Sequence, residues 1–292
     1  MAMVHMIKYI LITPARNEEE FIGQTIQSVI AQTILPQRWV IVNDRSTDST
    51  GEIAQKYADQ HDFIQVINVT GDNERNFGSK AKAVEFAYKQ VTDVDFDYVG
   101  NLDADITFDP DYYENILRKF EENPKLGLAG GIRYDKLIDG FRLIDVSRNS
   151  VGGPIQLFRK QCFDDIGGYM VLPYGGIDAV AEISARMNGW EVQSYPEYRV
   201  YHHRATGTAG QSIFKAHFLT GLRDYTIGYH PSFVLARGIP RIFKRRPYFF
   251  GATLNFAGYL YAVFKRMNRP VSDEFVDYLQ KEQKDRLKGM LK

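Results

Sequence analysis

The sequence contains very little cysteine, because Cys162 is the single one among its 292 residues. No disulfide can therefore form within the chain, and such a composition is typical of proteins from a reducing compartment. The segment from Met1 to Lys8 lacks the cleavage-site pattern of a secretory signal, so we expect a cytoplasmic protein. The formal net charge is zero. A chain with no net charge has no overall electrostatic attraction for nucleic acid, so we expect no nucleic-acid partner.

The chain also lacks an uncharged apolar run long enough to cross a membrane, which needs about 20 residues. The stretch Tyr248–Phe264 has 17 residues, many aromatics and basic flanks at 244–246 and 265–266. From Arg237 to Lys292 there are 13 Lys and Arg against 5 Asp and Glu. This pattern is typical of an interfacial helix, so we predict peripheral contact with the inner face of the cell membrane through residues 237–269. A helix packed on the protein itself or in a homo-oligomer interface is the alternative.

Apolar runs of strand length alternate with segments of helical periodicity through the first part of the chain. Strands are predicted at 8–13, 39–43, 63–69 and 98–102, and helices at 18–32, from Ser49 or Thr50 onward, and at 80–90. This alternation predicts an α/β fold with a mostly parallel central sheet and helices on both faces. Ligands of such sheets lie beyond the carboxyl ends of the strands, where the sequence has Pro14, Asp44 and Asp103.

Two carboxylates stand one residue apart directly after the predicted strand at 98–102. Residues i and i+2 at a strand end point to the same side, so Asp103 and Asp105 can converge on one Mg²⁺ or Mn²⁺ ion. Such an ion keeps open positions for phosphate oxygens. The same spacing also begins a calcium-loop pattern, but that reading fails because Phe108 stands where the loop needs glycine and Pro110 follows it.

A polar loop, Asn43–Thr50, follows the predicted second strand. Asp44 in this loop can accept hydrogen bonds from a base N–H or from ribose hydroxyls, as acidic residues do in dinucleotide-binding folds. The alternative is a helix-capping loop, because Ser, Thr and Asp favour that role.

Three motifs together resemble the inverting family 2 glycosyltransferases, which have the GT-A fold. They are Thr13–Glu18, Val42–Thr50 and Leu102–Asp105, and their order and spacing also match. The resemblance covers about residues 7–205. It implies a nucleotide-binding α/β sandwich of the GT-A type.

Composition and pattern along the chain, taken with the resemblance, divide it into domains. We predict a catalytic domain at 1–210, with a donor-binding half at 7–126 and an acceptor-binding half at 127–210. A helical region rich in aromatic and basic residues would follow at 211–292.

The family pattern implies roles for the motif residues. Pro14, Arg16 and Asp44 would border the nucleoside, while Asp103 and Asp105 would face the metal and the diphosphate. Asn43 departs from the commoner Asp at its position. The segment Asn76–Ala81 resembles the family's Gly-Lys element, so Lys80 would face the donor; a helix-surface lysine is the alternative reading.

Transfer also needs a base that takes the proton of the acceptor hydroxyl. The region from Gly167 to Trp190 resembles the family's acceptor region, where the base is the Asp of a Glu-Asp pair at a helix start. Ile177 replaces that Glu here, and Asp178 occupies the Asp position. We predict Asp178 as the base, with a helix cap as its alternative role. Glu182, one turn later on the same helix face, is the second candidate.

The segment Tyr201–Arg204 ends another strand-like run. Because successive strand residues alternate sides, one histidine at most can face the site. His202 or His203 could therefore complete the metal shell, and Arg204 could pair with the diphosphate.

These residues together predict a metal-dependent hexosyltransferase that acts with inversion in polysaccharide biosynthesis. The donor would be a nucleoside-diphosphate sugar, UDP- or GDP-linked ahead of dTDP-linked, and the acceptor a hydroxyl of a glycan or a lipid-linked sugar. A non-catalytic nucleotide-sugar-binding or scaffold protein of the same fold is one alternative. A sugar-phosphate nucleotidyltransferase is another, but Thr13–Glu18 lacks the Gly-rich, Arg- or Lys-bearing loop of that class.

Overall fold

The computed structural model describes residues 7–69, 79–144, 147–204, 213–244 and 248–290. Two compact units form: Met1–Val171 with Ile177–Ala205, and Leu172–Gly176 with Thr206–Lys292. Parts of two predicted features lie outside the described residues, namely residues 76–78 of the Gly-Lys element and residues 245–246 of the basic flank.

The first unit begins with alternating strands and helices. They are β1 (Tyr9–Ala15), α1 (Ile22–Ile30), β2 (Arg38–Asp44), α2 (Thr50–Ala58), β3 (Ile64–Val69), α3 (Ser79–Lys89) and β4 (Tyr98–Leu102). Strands β3, β2, β1 and β4 are neighbours in this order and all pair in parallel. Their carboxyl ends therefore meet at one edge of the sheet, as the predicted alternation requires.

The rest of this unit extends the sheet with antiparallel pairs and with one parallel pair, β6 with β9. Its elements are β5 (Ile106–Phe108), α4 (Tyr112–Glu122), β6 (Leu126–Leu137), β7 (Gly140–Leu143), β8 (Ile155–Arg159), α5 (Lys160–Asp165), α6 (Ile177–Met187) and β9 (Glu191–His202). The sheet order continues from β4 through β8, β6 and β9 to β5, while β7 pairs with β6. Strand β8 runs antiparallel to β4, which brings the loop before β8 back to the carboxyl end of β4.

The core lies around β1, where Tyr9, Ile10, Leu11 and Ile12 are fully buried. Consecutive buried residues are expected when helices cover both faces of a parallel sheet. Full burial of one such side chain is worth about 1.5–3 kcal/mol. The buried indole of Trp39 donates a hydrogen bond from Nε1 to Thr13 Oγ1 at 2.9 Å. The structure confirms the predicted α/β class.

Three local predictions differ from the structure. Strand β1 continues through Pro14, which stands beside Val42 of β2 instead of ending the strand. Helix α1 starts at Ile22 because the residues before it form turns. Ser49 makes no capping hydrogen bond; the carboxylate of Asp48 accepts the Thr50 N–H at 3.0 Å instead.

The second unit contains α7 (Ile213–Ile227), α8 (Pro231–Lys244), α9 (Tyr248–Phe264) and α10 (Asp273–Met290). Helices α7 and α9 approach closely where two glycines remove side chains from the contact. A Cβ on Gly258 would lie 2.1 Å from the carbonyl oxygen of Phe218, and one on Gly221 would lie 2.0 Å from that of Asn255. Among the described helices, none combines the length and the apolar character that crossing a bilayer requires.

Candidate active site

The loops after β1 and β2 are joined by side-chain hydrogen bonds. Asn17 has a left-handed backbone with φ of 55°. Its N–H donates to Ser46 Oγ at 3.1 Å, and its Oδ1 accepts the Thr47 N–H at 2.9 Å. The N–H of Glu18 donates to Thr50 Oγ1 at 2.7 Å. These bonds fix the two loops to each other at the carboxyl edge of the parallel strands.

The predicted nucleoside-binding residues lie at this edge. Asp44 is the last residue of β2 and is buried. The guanidinium of Arg45 donates from Nε to Asp44 Oδ1 at 2.7 Å. Pro14 is the second-last residue of β1, and Arg16 follows that strand directly. The structure therefore gathers Pro14, Arg16 and Asp44 at neighbouring strand ends.

Asp103 directly follows β4 and forms an ion pair with Lys80 of α3, with 2.5 Å between Nζ and Oδ1. The Lys80 ammonium also donates to the carbonyl oxygen of Gly153 at 3.4 Å. The side-chain amide of Asn101 donates to the same carbonyl at 2.8 Å. The Asp103 N–H donates to the carbonyl oxygen of Pro154 at 2.9 Å. The loop before β8 is thus held against the end of β4.

Asp178 lies in the first turn of α6 and contacts the same loop. A Cβ placed on Gly153 would lie 2.8 Å from Asp178 Oδ2, so the carboxylate occupies the space that a side chain would fill. Gly153 therefore joins the predicted base to the pair formed by Lys80 and Asp103. The sequence alone did not predict this contact between Gly153 and Asp178.

The second candidate base, Glu182, is buried beneath this region. Its Oε1 accepts the Val151 N–H at 2.8 Å, and its Oε2 lies 2.9 Å from the Ser150 hydroxyl. Burial and the nearby charge of Asp178 raise the pKa of Glu182 to about 8. The carboxyl group of Glu182 is therefore engaged in hydrogen bonds with residues 150 and 151.

Tyr169 is buried near the carboxylates of Asp178 and Asp103. The Tyr169 hydroxyl donates to Gln156 Oε1 at 2.6 Å. Burial raises the pKa of Tyr169 well above its usual value, and the charges of Asp178 and Asp103 raise it further. The phenol therefore keeps its proton and remains a hydrogen-bond donor.

Asp105 contacts His202 at the end of β9. The distance from Asp105 Oδ2 to His202 Nε2 is 3.2 Å, and His202 Nδ1 lies 3.0 Å from Asp135 Oδ1. Burial lowers the pKa of His202, but hydrogen bonds to Asp105 and Asp135 outweigh it and raise the value to about 9. Asp135 also forms an ion pair with Arg133, with 2.8 Å between Oδ1 and Nε.

His203 and Arg204 differ in their surroundings. His203 Nε2 lies 2.8 Å from the Thr107 hydroxyl, and burial together with the charge of Lys136 lowers its pKa. Its ring therefore turns away from the side that His202 faces. Arg204 forms an ion pair with Glu18 at 2.7 Å, and its Nε lies 4.0 Å from Asp105 Oδ2.

The residues around Asp105 have the chemistry for a divalent cation. Two cis ligands about 2.1 Å from an octahedral ion lie about 3.0 Å apart. In this structure the 3.2 Å contact between Asp105 Oδ2 and His202 Nε2 is a hydrogen bond, so His202 would have to lose the proton on Nε2 before an ion could bind there. Within the described parts of the chain, no three His, Cys, Asp or Glu side chains form a ready cluster for an ion. Asp103 forms an ion pair with Lys80, whereas Asp105 contacts His202.

Three residues of this region had no assigned role in the sequence analysis. Asn101 and Gly153 meet because β4 and β8 are antiparallel neighbours, and Asp135 meets His202 because β6 pairs with β9. Asp135 and His202 are separated by 67 residues. Nothing local in the sequence signals such pairings; the paired glycines at 152–153 were the one available hint.

Comparison with known proteins identifies relatives. Residues 10–168, more than half of the chain, match the family described as "Glycosyl transferase family 2". The poly-beta-1,6-N-acetyl-D-glucosamine synthase of Staphylococcus aureus is 31% identical over 170 residues. This alignment covers 52% of the present chain and 39% of the synthase, so the chain spans about two fifths of that relative's length.

Solved structures show the same fold. The S. aureus protein TarS (residues 1–349), in complex with UDP-GlcNAc, aligns with a TM-score of 0.56 at 20% identity, over 74% of this chain and 65% of TarS. The mannosyltransferase PcManGT from Pyrobaculum calidifontis, in complex with GDP-Man and Mn²⁺, aligns with a TM-score of 0.59 at 15% identity. That alignment covers 97% of this chain and 81% of PcManGT. These likenesses confirm the predicted GT-A fold.

Proposed function

The chain belongs to glycosyl transferase family 2, and on this premise we propose that it transfers a sugar from a nucleoside-diphosphate sugar to a hydroxyl group. The acceptor would be a glycan or a lipid-linked sugar, and the anomeric configuration would be inverted. Relatives support the donor class, because TarS was solved with UDP-GlcNAc and PcManGT with GDP-Man. The named activity of the synthase relative supports an acceptor that is a growing polysaccharide.

The donor would lie along the carboxyl edge of the parallel strands. Asp44 would accept hydrogen bonds from the nucleoside, with Pro14 and Arg16 bordering it at the neighbouring strand end. The diphosphate would lie near Lys80 and Arg204. Lys80 forms an ion pair with Asp103, and Arg204 Nε lies 4.0 Å from Asp105 Oδ2, so both cations are next to carboxylates of the site. Charge-assisted hydrogen bonds from such groups favour a phosphate oxygen over water.

Asp105 and His202 are the residues that would hold Mg²⁺ or Mn²⁺, with Asp103 as a further predicted ligand. The ion would neutralise charge on the departing diphosphate. The solved complex of PcManGT with Mn²⁺ supports a divalent cation. Asp103 would have to exchange its partner Lys80 for the ion or for the diphosphate.

The placement of Asp178 is the observation that carries the proposal. Its carboxylate touches Gly153, whose carbonyl accepts from Lys80, the partner of Asp103. An acceptor hydroxyl beside Asp178 would give its proton to that carboxylate as its oxygen bonds to the anomeric carbon. The bond from this carbon to the diphosphate breaks on the opposite face, and the nucleoside diphosphate leaves with the electron pair. Glu182 is the weaker candidate because its oxygens already bind residues 150 and 151.

The matched variants Asp178→Asn and Glu182→Gln test the assignment of the base. Both remove a carboxylate within one helix while keeping the side-chain shape. Release of nucleoside diphosphate from donor sugars, with water or glycan as acceptor, should fall by at least about 10²-fold in Asp178→Asn. Glu182→Gln should retain most turnover at neutral pH. Donor binding by thermal shift should persist in both variants, and the opposite ranking of turnover would assign the role to Glu182.

A thermal-shift panel of UDP-, GDP- and dTDP-sugars, with and without Mn²⁺, tests the donor and the ion. We expect stabilisation by one nucleotide class that depends on the cation and shrinks in Asp105→Ala. Stabilisation without turnover across the whole panel would indicate a nucleotide-sugar-binding protein instead of an enzyme. Equal stabilisation with and without Mn²⁺ would argue against the ion site.

A further inference from the structure

His202, the last residue of β9, lies between two carboxylates that belong to the neighbouring strands or directly precede them. In the sheet, β9 runs between β6 and β5. The register pairs His202 with Asp135 of β6 and with Ile106 of β5. Asp105 directly precedes Ile106. Strand pairing therefore fixes the positions of both carboxylates relative to the imidazole ring.

The two ring nitrogens of His202 have different partners. Nδ1 lies 3.0 Å from Asp135 Oδ1, and Nε2 lies 3.2 Å from Asp105 Oδ2. A histidine ring can rotate about its Cβ–Cγ bond, and the hydrogen bond that one nitrogen makes determines which nitrogen is available to a cation. A proton on Nδ1 that is donated to Asp135 leaves Nε2, on the side of Asp105, as the nitrogen for an ion.

Asp135 is itself held in place. Its carboxylate is buried, which costs free energy unless charged or hydrogen-bonding partners compensate. Arg133, two residues earlier on the same face of β6, contacts it with 2.8 Å between Nε and Oδ1 and 3.4 Å between Nη2 and Oδ2. Because Asp135 approaches the ring at Nδ1, it can orient the ring without taking the position of an ion beside Asp105.

We propose that Asp135 is a positioning residue for the cation: it holds His202 with Nε2 turned toward Asp105, and Arg133 holds Asp135. This inference rests on the proposed function, because it takes Asp105 and His202 as the residues that would hold the ion. Histidines that bind metals commonly donate their other N–H to a carboxylate, and loss of such a partner costs about 10–100-fold in metal affinity.

The probe is Mn²⁺ alone, whose binding to the full chain is measured from the loss of the free-ion signal in electron paramagnetic resonance. Asp135→Ala removes the acceptor of the Nδ1 proton, so its dissociation constant for Mn²⁺ should rise by about 10–100-fold. Asp139→Ala is the matched control. It removes an exposed carboxylate, paired with Arg142, from the turn between β6 and β7, and should bind Mn²⁺ as the wild type does.

Asp135→Asn separates orientation of the ring from stability of the fold. Oδ1 makes the contacts with Arg133 Nε and His202 Nδ1, and asparagine keeps this atom as an acceptor. Asp135→Asn should therefore bind Mn²⁺ more tightly than Asp135→Ala. Electron spin echo spectra of bound Mn²⁺ should show a directly coordinated imidazole nitrogen in the wild type and in Asp135→Asn, and lose it in Asp135→Ala. A carboxylate that only stabilised the fold would leave this signal unchanged in a folded variant.

Arg133→Met is the second variant if Asp135→Ala folds poorly. It keeps Asp135 and His202 but removes the group that holds the carboxylate, and it should weaken Mn²⁺ binding in the same direction. Wild-type Mn²⁺ affinity in both variants, or no Mn²⁺ binding by a wild type that transfers sugar, would overturn the positioning role and leave the proposed transfer intact. Absence of transfer in a wild type whose Mn²⁺ binding depends on Asp135 would contradict the proposed function and not the positioning role.

Discussion

At the scale of single residues, the absence of a side chain at Gly153 determines where the candidate base can lie. A Cβ there would lie 2.8 Å from Asp178 Oδ2, whereas a Cβ on Gly152 would meet only Pro154 Cδ, at 3.8 Å. Both glycines lie in the loop before β8, so they form a matched pair. One of them contacts the carboxylate and the other does not.

Gly153→Ala should therefore lower turnover by about a hundredfold, because a misplacement of the base by about 1 Å costs that much. Gly152→Ala should keep near-normal turnover. Donor affinity, measured by thermal shift, should remain in both variants because Asp44 and Arg16 are untouched. Equal turnover in the two variants would show that the position of Asp178 does not limit the reaction.

Glu182 gives a prediction about pH and stability. Burial, then the charge of Asp178, raises its pKa from 4.5 to about 8. Between these values the unfolded chain releases a proton that the folded chain keeps, so the free energy of unfolding falls as pH rises. The stabilisation is complete below about pH 4.5 and is lost as pH rises through 8.

Glu182→Gln should therefore flatten the dependence of the melting temperature on pH across this window. Each unit of pKa shift corresponds to about 1.4 kcal/mol, so the difference from the wild type should reach a few kcal/mol near pH 8. Glutamine can still accept the Val151 N–H and donate to the Ser150 hydroxyl. Exposed Glu52→Gln is the control and should leave the slope unchanged. An unaltered slope in Glu182→Gln would contradict the buried, protonated state.

The positions of the motif residues in the candidate site could be predicted from sequence because each lies at or next to the end of a strand, or in the first turn of a helix. Asp44, Asp103 and Asp178 are of this kind, and their elements were recognisable from local patterns. The roles of Asp135 and Gly153 were not predictable, because they depend on strand pairing across long sequence separations. The sequence left His202 and His203 as equals, and the surrounding hydrogen bonds distinguish them.

At the scale of elements, the parallel half of the sheet followed the prediction closely. Strand β4 has the predicted bounds, because its residues are buried on both faces and read as a continuous run. The long strands β6 and β9 were not predicted as a pair. Their register shifts between Gly131 and Ile132. Such irregular pairing is set by tertiary packing rather than by the local pattern.

The crossing of α7 and α9 gives a prediction for the helical unit. Gly258 lies where a Cβ would be 2.1 Å from the carbonyl oxygen of Phe218, so Gly258→Ala should destabilise the unit by about 1–3 kcal/mol or more. Gly289→Ala is the control, because its Cβ has free space. Gly289 is the second-last residue of α10, so alanine there should change stability by less than about 0.5 kcal/mol. Thermal unfolding followed by far-UV circular dichroism measures both changes, and an equally small change in the two variants would refute the close crossing.

At the scale of the whole molecule, charge and apolar surface are unevenly distributed although the net charge is zero. The chain from Arg237 to Lys292 has 13 basic against 5 acidic residues. In the same region α9 exposes Phe250 to 65% and Phe264 to 83%. Together these features support peripheral contact with an anionic membrane surface, as proposed from the sequence.

Flotation with liposomes tests this contact on the full chain. We expect binding to vesicles containing phosphatidylserine at low salt, and loss of binding at high salt or on pure phosphatidylcholine, because screening weakens attraction to the surface. The double variant Phe250→Ser with Phe264→Ser should bind at least tenfold more weakly. Phe86→Ser, at a phenylalanine of α3 that is 44% exposed, is the control and should bind as the wild type does. Equal loss in the control would mean that general hydrophobicity drives binding, and absence of binding at low salt would leave α9 as a surface for protein contacts.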